Sequence, residues 1–90
     1  MQRWRSRPAD ELALLEFDDD FVAFHRPSGK THLLNAASHF LIFGILAEAR
    51  DFDTIAEMVA DGAGTDDEFV ARLAAMLERF EDLGMVERCD

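Results

Sequence analysis

The chain has one cysteine, two prolines, no tyrosine and only nine basic residues. Each shortage excludes something. A lone Cys89 forms no internal disulfide and builds no cluster of thiolate metal ligands. The five glycines are scattered, so there is no glycine-rich loop to cradle a phosphate. Nine basic residues against nineteen acidic ones leave a net charge of −10. No apolar run approaches the roughly 20 residues that span a bilayer. The opening MQRWRSRPADE lacks the apolar core of a signal peptide, so a cytoplasmic location is the default expectation.

Apolar side chains, by contrast, make up 49% of the 90 residues, which marks a folding sequence rather than a disordered tail. A chain of this length buries about 60–65% of its unfolded surface, enough for one modest core, and a single domain over residues 1–90 is expected. Charge is unevenly spread. Residues 1–50 hold six basic and seven acidic side chains, hence −1, and residues 51–90 hold three and twelve, hence −9. Arg3, Arg5 and Arg7 lie in residues 1–10, which read as a solvated, flexible arm.

Three strands come first. Leu12 to Phe17 is a short apolar run, Asp18–Asp20 an acidic turn, and Phe21 to Arg26 a second strand. Arg26-Pro27-Ser28-Gly29 fits a type I turn, with Gly29 suited to a left-handed position. Thr31 to Leu34 is the third strand, and its successive leucines Leu33 and Leu34 must point to opposite faces.

Three helices follow. Asn35 is a good N-cap for a helix over Ala36 to about Arg50, apolar nearly all round and therefore central. Gly44 within it suggests close approach by another element. Thr54 with Glu57, and Thr65 with Glu68, have the spacing of capping boxes for two further helices. Phe69, Leu73, Met76, Phe80 and Leu83 recur at 4-3-4-3 along the last one, which ends at Gly84. Met85-Val86 adds a short final strand. The expected fold class is α+β: a three-stranded antiparallel meander, then a three-helix bundle, in a winged-helix-like layout.

Groups fit for catalysis are poorly placed. His25 faces His32 if Arg26 pairs with Thr31, and falls out of register if Arg26 pairs with Lys30. A metal would need a third ligand, and His39 lies a turn into a helix, so no metal site is expected. Ser6, Ser28 and Ser38 lack a nucleophile elbow, and nothing organises a base around Cys89. The acidic pairs sit at a turn and a cap. The acyl-carrier motif Asp-Ser-Leu is absent. What remains is an open sheet edge, which offers unpaired N–H and C=O groups to another chain.

The central hairpin, FVAFHRPSGKTHLLN from Phe21 to Asn35, followed by helices closing on LGMV from Leu83 to Val86, resembles the PqqD family. These are small domains that present ribosomally made precursor peptides to modifying enzymes. The pattern is nearest the subgroup of the HPr-related-A system, beside a kinase-related protein, and the acidic second half departs from the pyrroloquinoline quinone branch. The resemblance implies a peptide chaperone without cofactor or catalytic residue, which captures a leader peptide by strand addition. Its enzyme partner is often a radical S-adenosylmethionine enzyme. Carried over by position, the floor of the peptide site is Lys30, Thr31, His32, Leu33 and Leu34, and the wall is Arg72, Met76 and Arg79. Glu68 lies one turn from Arg72 and can neutralise it. An open edge also allows a homodimer.

Two other classes compete with peptide capture: a winged-helix DNA-binding regulator and a plain homodimerisation domain. The last helix carries Asp66, Asp67, Glu68, Glu78, Glu81 and Asp82 against Arg72 and Arg79, which opposes contact with phosphates. No salt-sensitive retardation of duplex DNA is therefore expected at sub-micromolar protein. A shift that weakens as salt rises would overturn that expectation.

Overall fold

Alternation along the hairpin sequence sorts its side chains onto two faces, and the register fixes which is buried. In the computed structural model, which describes residues 2–18 and 20–89, β2 (Leu12–Phe17), β3 (Asp20–His25) and β4 (Lys30–Leu34) form one antiparallel sheet in the order β2-β3-β4. Leu12, Ala23 and Leu34 share the inward face and are buried. Leu15, Val22 and Leu33 form a cross-strand row on the outward face. Leu33 is 73% exposed there, while Leu34 is 6% exposed, so only one of the two leucines is core. Asp19, in the expected acidic turn, lies outside the described residues.

A second sheet replaces the expected arm. Arg3–Ser6 is β1, paired antiparallel with β6 (Val86–Cys89) on one side and with β5 (Arg50–Asp51) on the other. Trp4 packs edge-on against Phe52 at 6.1 Å, and the Arg88 guanidinium lies 5.4 Å from the Trp4 ring. The Ser6 hydroxyl donates to the Leu46 carbonyl at 3.0 Å. The molecule is thus α+β with two three-stranded antiparallel sheets, where one meander was expected.

The helices depart from expectation at their ends. Asn35 caps α1 (Ala36–His39) by accepting from the Ser38 amide at 2.8 Å. The segment then widens into a π-turn over Phe40–Gly44 and tightens into a 3₁₀ turn over Ile45–Ala47, instead of running on to Arg50. Gly44 admits Phe40 of its own helix: a Cβ there would lie 3.2 Å from Phe40 Cδ1. Leu41, Ile42, Ile45 and Leu46 from this segment are buried at the centre of the core.

The cap of α2 (Phe52–Ala60) is Asp51, not Thr54, and that of α3 (Asp67–Asp82) is Asp66, not Thr65. Each aspartate accepts from the amide three residues on, at 2.8 Å. Leu73, Leu77 and Phe80 bury the inner face of α3, and Phe69, Met76 and Leu83 pack partly against the core. Gly84 follows at φ +80°, ending the helix as expected. No helix among the described residues is long and apolar enough to cross a membrane.

The bond from the Thr54 backbone amide, with the Thr54 side chain second, holds the Asp51 carboxyl below the usual carboxylate range. A depressed native pKa adds stability that is present above the unfolded value and lost as pH falls through the native one. Asp51→Ala should therefore lower Tm at neutral pH, and its deficit should shrink in acid. Asp51→Asn, which caps without titrating, should lose less. Thermal unfolding by circular dichroism between about pH 2 and 7 checks both expectations.

Candidate functional site

β4 is an edge strand, so every second residue turns its N–H and C=O away from β3 and toward open space. That space is not featureless. α3 runs alongside, and between them lies a groove of about 630 Å³. Thr31, His32, Leu33 and Leu34 line its strand side, continued by Asn35 and Ser38 at the start of α1. Arg72, Ala75, Met76, Arg79, Phe80 and Leu83 line the helix side, and Met85 closes it below.

Seven of the eight residues singled out from the sequence therefore meet in one groove. The eighth, Lys30, lines a recess of about 200 Å³ at its end, with His25, Ser28, His32, Asp82, Leu83 and Gly84. Asn35, Ser38, Ala75, Phe80, Leu83 and Met85 were missed. Phe80 and Leu83 carried a usable signal, since they lie one turn and two turns after Met76 on the apolar stripe, but that stripe was assigned wholly to the core.

The two arginines differ. Arg72 pairs with Glu68 one turn earlier, both side chains being mostly exposed, and such a pair is worth only about 0.3–0.5 kcal/mol. Arg79 has no ion-pair partner among the described residues, and its guanidinium is free for a ligand.

The hairpin register follows neither expected alternative. His25 pairs with Lys30 across the four-residue turn Arg26–Gly29, and His32 pairs with Ala23. Gly29 takes φ +73° as expected, and its amide donates to the His25 carbonyl at 2.8 Å. Both histidines share the inward face as diagonal neighbours, roughly 7–8 Å apart. His25 Nδ1 lies 2.7 Å from the Ser28 hydroxyl. His39 is elsewhere, stacked on Phe21 with ring centroids 3.9 Å apart. Among the described residues no three potential ligands gather for a metal.

Comparison with protein-family models, with curated proteins and with solved structures returned no match.

The end of β3 and the end of α3 approach closely at one point in the end recess. A Cβ on Gly84 would lie 2.5 Å from His25 Nε2, and φ there is +80°. Gly84→Ala should cost more than about 1 kcal/mol, from left-handed strain and the contact together. In a His25→Ala background the contact disappears and only the strain remains, so the cost should fall. Urea denaturation of the four variants measures both contributions.

Proposed function

We propose that this is a peptide-binding domain that takes an extended peptide as a further strand on β4, against α3, and performs no chemistry itself. The observation that carries this reading is the coincidence of a free strand edge with a helix wall set back far enough to leave a groove. Backbone bonds to β4 supply affinity for any extended chain, and the α3 side chains supply discrimination. Absence of DNA contact agrees with the charge of α3, whose first turn holds Asp67 and Glu68.

The layout, with the β3–β4 hairpin beside α3, is read as winged-helix-like, in keeping with the PqqD resemblance. On that resemblance the peptide is the leader of a ribosomally made precursor. The partner is a peptide-modifying enzyme, of the radical S-adenosylmethionine type in many such systems, in the cytoplasm. No cofactor is needed for capture. A homodimer through the β4 edge would compete with the peptide, because one edge accepts one strand.

Adjacent proline substitutions test strand addition. Of Thr31 and His32, one turns its N–H toward β3 and the other toward the groove. Proline at the first site breaks the ladder and damages the fold, whereas proline at the second removes only the outward donor. Of Thr31→Pro and His32→Pro, the variant that keeps the native circular-dichroism spectrum should lose most of its affinity. The probe is a nine-residue peptide selected for binding from a random-sequence library, and affinity is measured by calorimetry. Full affinity in that folded variant would remove β4 from the site.

A further inference from the structure

We infer that the peptide taken by this groove alternates acidic and apolar side chains at every second position. The inference rests on the peptide-binding reading and adds the chemistry of the ligand.

The sign of the groove is the first observation. The protein carries nineteen acidic and nine basic residues, yet no carboxylate is among the described residues that line the groove, where Arg72, Arg79 and His32 are. The acidic bulk of the molecule lies outside it. The acidic surface elsewhere repels anionic peptides and attracts cationic ones, whereas the basic strip repels cationic peptides and attracts anionic ones only there.

The order of side chains along α3 is the second. Arg72, Met76, Arg79 and Leu83 succeed one another at 4-3-4 spacing on the groove wall. At 1.5 Å per residue they lie about 6, 4.5 and 6 Å apart along the helix axis. In an extended peptide, side chains on one face recur every ~6.6–6.8 Å. Four successive inward positions of an added strand therefore meet cation, thioether, cation and aliphatic group in turn, with the long arginine side chains absorbing the mismatch.

Polarity along the groove is the third. Leu83 and Gly84 share the end recess with Lys30 and His32, so α3 runs antiparallel to β4 and Arg72 lies toward Asn35. Asp82 borders that recess, which disfavours an acidic side chain beside Leu83 and agrees with an apolar one. Arg79, without an ion-pair partner among the described residues, is the main acidic-residue contact. Arg72 joins by exchanging its exposed bond to Glu68. Leu33, 73% exposed on the opposite face of β4, lies beside the outward side chains of the added strand and favours apolar or β-branched ones there.

The test uses synthetic nine-residue peptides with Thr at odd positions. In one, Glu occupies the second and sixth residues and Leu the fourth and eighth; a second has the reversed order, to allow either strand direction. Matched peptides carry Lys in place of Glu. Fluorescence anisotropy should show a Glu peptide binding roughly ten-fold or more tighter than its Lys counterpart, with the advantage shrinking as salt rises. Arg79→Glu, outside the buried face of α3, should reverse that preference while leaving Tm unchanged. Equal binding of Glu and Lys peptides would overturn the charge pattern and leave strand addition standing. So would failure of all four peptides alongside binding of other nine-residue peptides selected from a random-sequence library. If no peptide of that library binds either, the peptide-binding reading falls, and this inference with it.

Discussion

The pairing of β1 with β6 is the constraint on which the rest depends. It joins the two ends of the chain, with Arg3 opposite Cys89 and Ser6 opposite Val86. β6 follows α3 after the Gly84 turn, so fixing β6 fixes the C-terminal end of α3, and with it the wall of the groove. The energy comes mainly from burial: Met85 and Val86 are 1% and 2% exposed. Ion pairs add direction. Arg5 meets Glu87 at 2.6 Å, and Arg7 reaches both Glu87 and Glu11, linking β6 to the residue just before β2. Hydrogen bonding to these carboxylates raises both arginine pKa values further above an already high level, so neither guanidinium loses its charge. One cost is visible. Trp4 Nε1 is buried without a hydrogen-bond partner among the described residues, a loss of about 1–3 kcal/mol that ring packing must offset.

The parts of the fold that could be read from sequence are those determined locally. The hairpin announces itself by two apolar strands around Pro-Ser-Gly. The cap of α1 needs only Asn35, and α3 only its stripe and its stop. β1 gave no such signal, because Arg-Trp-Arg-Ser looks like a basic arm until a partner more than 80 residues away is known. Alternation is present in it, with Trp4 and Ser6 half-buried between exposed arginines, but four residues are too few to separate strand from tail. The caps of α2 and α3 were misplaced for a chemical reason. Asp51 and Thr54, or Thr65 and Asp66, are rival caps within a few residues, and tertiary position selects between them. The register of the hairpin differs because the four-residue connection starts one residue earlier than expected, at Arg26 rather than Pro27.

The groove was more legible than the sheet that supports it. Lys30 to Leu34 could be placed on an edge by counting strands, whereas Arg72, Met76 and Arg79 were placed on one wall only by what the family resemblance implies. Met85 and Ser38 could not, since each enters the groove from an element whose position depends on the whole fold. Neither could Arg79 be ranked above Arg72 from spacing alone. The distinction rests on which carboxylate each side chain finds.

The sheet has two free edges, and the contrast between them explains why only one is a candidate site. β2 is the other edge, and Leu12 at its start is bonded to the Pro8 carbonyl while Arg26 bonds Glu11. None of its residues lines the groove. On the proposed function, a peptide on β2 would gain backbone bonds without the side chains of that groove. At β4 the same bonds come with Met76 and Phe80 beneath and Arg79 at the side. The wall residues are largely separate from the buried set of Leu73, Leu77 and Phe80 that anchors α3, Phe80 alone belonging to both. On the proposed function, specificity is thus retunable at positions 72 and 79 with little consequence for the core, whereas Met76 packs partly against it. That separation suits a domain whose fold must hold while its ligand changes.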